Sequence, residues 1–133
     1  MPRLRSRQAK KPTILVPRVK VWLEARGCYA FGFGMSEILQ AVDRAGSIKQ
    51  AASRLGKSYR YIWGRIKKAE QALGQQLVET QVGGKDSQRS FLTAPARQLV
   101  GDFLALRERM IQVVREECGS GFTRFSSAAA KDL

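Results

Sequence analysis

Between residues 57 and 68, Lys57, Arg60, Arg65, Lys67 and Lys68 place five positive charges with no acidic residue among them. Guanidinium and ammonium groups crowded in this way donate charge-assisted hydrogen bonds and suit anionic oxygens, phosphate above all. Interleaved with them, Ile62, Ile66, Ala69 and Leu73 recur at helical spacing, with Tyr59 and Trp63 beside them. At 100° per residue this stripe faces one way, Arg60, Gly64, Lys67 and Lys68 face the other, and Tyr61 and Arg65 lie on the flank. Tyr59 and Trp63 read as packing at the edge of the core rather than as contacts. Gly64 is informative, because glycine inside a helix costs about 1 kcal/mol relative to alanine. A gap in a basic face lets a helix approach a groove closely.

A short helix must come first to seat this one. Ser47 and Gln50 form the Ser-x-x-Gln capping box, and Ile48, Ala51, Ala52 and Leu55 follow at helical spacing. The two alanines allow a close crossing of helices. Gly56 supplies a left-handed turn and Ser58 an N-cap for the second helix. Helix, turn and basic helix together make a helix-turn-helix, the geometry that places a helix in the major groove of duplex DNA.

Upstream, Ile14–Val16 and Val19–Leu23 are β-rich, and Cys28–Phe33 can return after an Arg26-Gly27 turn as the second strand of a hairpin. Met35–Arg44 then reads as a helix with Ser36 near its start and Ile38, Leu39 and Val42 inward, closed by Ala45-Gly46. Downstream, Leu77–Val82 and Ser90–Leu92 read as antiparallel strands around a polar tip, VGGKDSQRS. Such a hairpin is a wing, with Gly83, Gly84, Lys85 and Arg89 as its contact residues. Thr93 caps a long last helix with Pro95 in its first turn. Leu99, Phe103, Leu106, Met110, Val113 and Val114 run along that helix as a seam longer than a small domain needs, which suggests a dimer interface. The expected fold is mainly α with small β: a winged helix-turn-helix with an N-terminal β-hairpin and a long C-terminal dimerisation helix.

Composition agrees with a polyanion partner. Lys and Arg number 24 against 11 Asp and Glu, a formal net charge of +13. Residues 1–13 read as a disordered basic arm, 14–118 as the folded domain and 119–133 as a disordered tail rich in Gly, Ser and Ala. No apolar run approaches the ~20 residues that span a bilayer, and no signal peptide is visible, so a cytoplasmic, nucleoid-associated protein is expected. Enzyme chemistry finds little support. The chain has no histidine, which removes the commonest general base and metal ligand. Cys28 and Cys118 stand far apart without a CxxC partner, so no metal site is expected; the spacing leaves a disulfide between them open. No cofactor is expected either.

The residues from Arg18 to about Glu117 resemble the N-terminal DNA-binding domain of ModE-type molybdenum-responsive regulators, relatives of the LysR winged helices. The pieces that carry this are GSIKQAASRLGKSYRYIW, the LVET strand, the GGK opening the wing and the FLT before the last helix. Ser58-Tyr59 followed by Trp63 is more ModE-like than LysR-like. The resemblance implies a homodimer joined through the last helix and reading a palindromic operator. Two departures stand out: Asp86-Ser87-Gln88-Arg89 replaces a run of glycines in the wing, and no molybdate-binding domain is expected in this chain. An effector would then be sensed by a separate protein, or there would be none.

On this reading Lys57, Ser58, Arg60, Tyr61 and Gly64 face the major groove, with Arg60 the candidate for a bidentate guanine contact. Arg65, Lys67, Lys68, Lys85, Arg89 and the basic arm neutralise phosphates, which sets affinity more than sequence choice. The alternatives are a sequence-indifferent architectural protein and a winged helix that docks another protein.

Overall fold

The computed structural model describes residues 13–83, 87–118 and 123–125. In chain order these are β1 (Thr13–Leu15), β2 (Trp22–Ala25), β3 (Cys28–Gly32), α1 (Phe33–Ala45), α2 (Ile48–Leu55), α3 (Tyr59–Leu73), β4 (Val78–Gly83), β5 (Ser87–Leu92), α4 (Ala94–Cys118) and β6 (Thr123–Phe125). Two compact units divide the chain, one of Lys20–Glu108 and one of Met1–Val19 with Arg109–Leu133.

In the larger unit, β2 and β3 form the expected hairpin, with its first strand at Trp22–Ala25 rather than Val19–Leu23, turned by Arg26 and Gly27 at φ 53° and 78°. Glycine adopts that region freely; arginine does so at some cost. The last position of β3, Gly32, admits only glycine, because the Tyr29 side chain lies where a β-carbon would have to sit. Helix α1 begins two residues earlier than expected, at Phe33. Ser36, near its start, is fully buried, and its hydroxyl donates to the Phe33 carbonyl at 2.6 Å, a back-bond that short hydroxyl side chains make inside helices.

Helices α1, α2 and α3 close around one core. Phe31, Leu39, Val42, Ala51, Ile62 and Ile66 are all at or below 1% exposure. The alanines of α2 sit where expected, both buried at the helix contacts. Ser47 and Ser58 cap α2 and α3, accepting from the Gln50 and Tyr61 amides at 3.0 Å each. Gly46, Gly56 and Gly74 close the three helices in the left-handed conformation.

The ladder of β4 and β5 runs from Val78↔Leu92 to Gly83↔Ser87, longer than the sequence suggests. Gly83 and Arg89 consequently belong to the paired strands, with Arg89 opposite Gln81; Gly84 and Lys85 lie outside the described residues. Three polar joints hold this hairpin to the helices. The Glu70 carboxylate accepts from the Leu77 and Val78 amides at 2.8 and 3.2 Å. The Ser90 amide donates to the Gly46 carbonyl at 2.8 Å. Thr93 donates its hydroxyl to the Gln76 carbonyl at 2.8 Å and accepts from the Ala96 amide at 3.2 Å, so the expected cap of α4 also ties it to β4. Arg97 adds an ion pair to Asp43 of α1 at 2.8 Å.

The first half of α4 buries Ala96, Val100 and Phe103, and the Phe103 ring meets Phe31 edge-on at 5.3 Å. Phe103 is thus core of its own chain, which corrects its placement in a dimer seam: the spacing 96, 100, 103 turns it inward. Arg107 lies over the Phe33 ring, 3.9 Å from its centroid. In the smaller unit β1 and β6 pair antiparallel, Thr13 with Phe125 and Leu15 with Thr123. Thr13 at the end of the expected arm and Thr123–Phe125 within the expected tail are therefore strand. The rest of those two segments, residues 1–12, 119–122 and 126–133, lies outside the described residues. Both cysteines are free thiols.

Glu70→Ala should cost about 2 kcal/mol, since two amides lose a charged acceptor. Chemical unfolding would show it, and Glu70→Gln should recover part of the loss.

Candidate nucleic-acid interface

Burial of Ile62, Ile66 and Ala69 sets which way α3 faces. Arg60 and Gly64 lie two residues either side of Ile62, so they point about 160° from it. Arg60 is exposed and, among the described residues, makes no hydrogen bond or ion pair, and the same holds for Lys68. A β-carbon on Gly64 would meet nothing within 4 Å. The glycine is therefore unneeded by the chain's own packing and leaves a notch in the basic face.

The remaining expected residues divide. Lys57 is exposed in the turn before α3, and Ser58 has its oxygen engaged as the cap. Tyr61 is 43% exposed and receives a hydrogen bond from Arg65 Nη1 at 2.9 Å. Lys67 is paired with Glu70 at 3.2 Å and lies 5.6 Å from the Trp63 ring centroid. With its side chain 45% exposed this pair is weak, and Lys67 can still turn toward an anion. Arg89 is exposed on β5, beside the strongly exposed Val82.

Tyr59 and Trp63 depart from expectation. They are 49% and 44% exposed, not packed at the core edge. Periodicity places them about 60° and 100° from Ile62, a bearing that is buried only where a neighbour covers it. Together with Tyr61 they put three half-open aromatic rings among the cations at the start of α3. Sequence reasoning also missed Arg26, which donates to the Ala72 carbonyl at 2.9 Å. That bond caps the C-terminal end of α3 with a positive charge, and only the hairpin's position reveals it.

In the expected dimer seam Leu106 and Val113 are exposed, while Leu99, Met110 and Val114 are half-buried. No helix among the described residues is long and apolar enough to cross a membrane.

Residues 35–97 match the bacterial regulatory helix-turn-helix protein family, lysR family. A curated relative, the molybdenum transport protein ModE of Herbaspirillum seropedicae, is 31% identical over 80 residues, 60% of this chain and 30% of the relative. The crystal structure of a CbnR DBD–DNA complex superposes with a TM-score of 0.50 at 26% identity, covering 66% of this chain and 99% of that one. ArgP from Mycobacterium tuberculosis aligns at a TM-score of 0.47 and 25% identity, over 64% of this chain and 30% of its own. The chain thus spans about 30% of the length of ModE and of ArgP. The core of three helices and the β4–β5 wing are a winged-helix arrangement.

Gly64→Ala should raise the stability of the free protein by about 0.5–1 kcal/mol, because the helix gains and no contact is lost. Thermal unfolding measures this; a destabilised variant would show that the notch serves internal packing after all.

Proposed function

We propose that this chain, whose residues 35–97 match the lysR helix-turn-helix family, is a sequence-specific DNA-binding transcriptional regulator that acts as a dimer. The observation that carries this is the unpaired Arg60 beside the Gly64 notch, on a helix whose rotation is set by its buried stripe. Arg60 enters the major groove with its guanidinium free to take the O6 and N7 of guanine together. Lys57, Ser58 and Tyr61 stand at the same end of α3. Arg65, Lys67, Lys68 and, from the wing, Arg89 meet phosphates, and the net charge of +13 draws the duplex in. The wing near residues 82–90 follows the backbone or adjacent minor groove. Leu99, Leu106, Met110, Val113 and Val114 on α4 supply the contact with a second copy. The protein acts in the cytoplasm with its DNA, and the basic segment before β1 lies along the phosphates.

Selection of bound sequences from a random duplex library at physiological salt, with the mass of the protein in solution, tests this. An enriched inverted repeat with half-sites about one helical turn apart, and a dimer mass, are expected. Tight binding with no enriched motif would make it an architectural protein. No binding would leave a protein-docking winged helix.

Arg60→Ala should lose about 1–3 kcal/mol of discrimination at one base step while other positions keep their preference. Equal weakening on all sequences would remove Arg60 from base reading.

A further inference from the structure

Tyr61 and Arg65 lie four residues apart along one ridge of the α3 surface, and Lys57, in the turn before the helix, extends it. Arg65 Nη1 donates to the Tyr61 hydroxyl at 2.9 Å. The guanidinium carbon is also 5.8 Å from the Tyr61 ring centroid, and Lys57 Nζ is 5.3 Å from the same centroid. One aromatic ring therefore holds two cations, and it does so at the surface, where the ring is 43% exposed. Flexible cationic side chains lose rotamer freedom when a ligand immobilises them, and a partner that already restrains them lowers that cost.

The bonding also decides what the ridge can recognise. The Tyr61 oxygen accepts from Arg65, which leaves its O–H free to donate. Arg65 retains four further N–H groups and Lys57 three. Glu37 lines the cleft beside them, together with Gly34 and Ile38, but forms no ion pair with either cation. Every free polar hydrogen on the ridge is thus a donor, beside a charge of two. The two positive charges favour an anionic oxygen over the neutral acceptors of a base edge, guanine O6 and N7 included. A phosphodiester offers only anionic acceptor oxygens and matches the set.

We infer that Lys57, Tyr61 and Arg65 form a pre-assembled clamp for one backbone phosphate of DNA, with Tyr61 the positioning residue that holds Arg65 in place. This rests on the DNA-binding reading above and refines it: Tyr61 fixes how α3 is seated, and base reading falls to Arg60 and the notch at Gly64.

Tyr61→Phe keeps the ring and removes the hydroxyl, which permits a double-mutant cycle with Arg65→Gln on the sequence enriched from the random library and on a scrambled duplex. Tyr61→Phe should weaken both duplexes by the same factor, about tenfold, with an unchanged melting temperature and unchanged base preference. In the Arg65→Gln background the same substitution should cost less than about twofold, since the group it positions is gone. Losses that simply multiply would overturn the clamp, as would a changed preference at one base or a matching fall in stability. Those outcomes leave DNA binding itself standing; a wild-type protein that binds neither duplex would remove both readings.

Discussion

Burying Ile62, Ile66 and Ala69 of α3 against α1 and α2 is the constraint from which the rest of the surface follows. A helix with an apolar stripe of this kind has one rotational setting that hides it. Once Ile62 is at 0% exposure, Arg60 and Gly64 must face outward and Tyr61 and Arg65 must lie along a flank. The basic residues are not steered there by their charges, which repel one another. Apolar burial holds them together against that repulsion, and the accumulated field becomes available to a polyanion.

A second group of interactions keeps α3 in register with the parts around it. Glu70 is the clearest, because one carboxylate near the C-terminal end of α3 satisfies two amides at the start of β4 and also pairs with Lys67. It is the acidic residue of a helix otherwise dominated by cations, and its side chain is only 12% exposed. Arg26 reaches the other edge of the same helix end through the Ala72 carbonyl. Thr93 links β4 to α4, and Phe103 brings α4 onto Phe31. The basic helix is consequently held at its far end by the wing and the N-terminal hairpin, while its N-terminal turn carries the open side chains. Contacts that must be placed within about 0.5 Å depend on a rigid support of this kind.

The aromatic rings at the start of α3 act on the cations around them. Tyr61 draws in Lys57 and Arg65, and Trp63 draws in Lys67. Each ring reduces the number of positions its cation samples, and each keeps part of its own apolar surface open. This is a different economy from a plain lysine-rich surface, in which affinity comes from charge alone and rises and falls with salt. Arg60 is the exception: among the described residues it has no ion pair and no ring contact.

Much of this was legible in the chain order. Ser47, Gly56 and Ser58 act within about four residues of themselves, so caps and turns follow from local chemistry, and the helical stripe of α3 follows from its period. Local rules also misplaced two boundaries: α1 begins at Phe33 rather than Met35, and the β4–β5 ladder runs further toward its tip than the polar run suggests. Folding alone decided which side chains meet across elements. Phe103 could have faced a second copy, but the position of β3 gave it Phe31. Tyr59 and Trp63 lie at a bearing that periodicity can name but not cover, and their neighbours among the described residues leave both about half exposed. Arg65 has the same charge and spacing whether it is free or bonded to Tyr61. Sequence periodicity determines the direction in which a side chain leaves its helix; what waits there depends on elements that are distant along the chain, and only their packing brings them near.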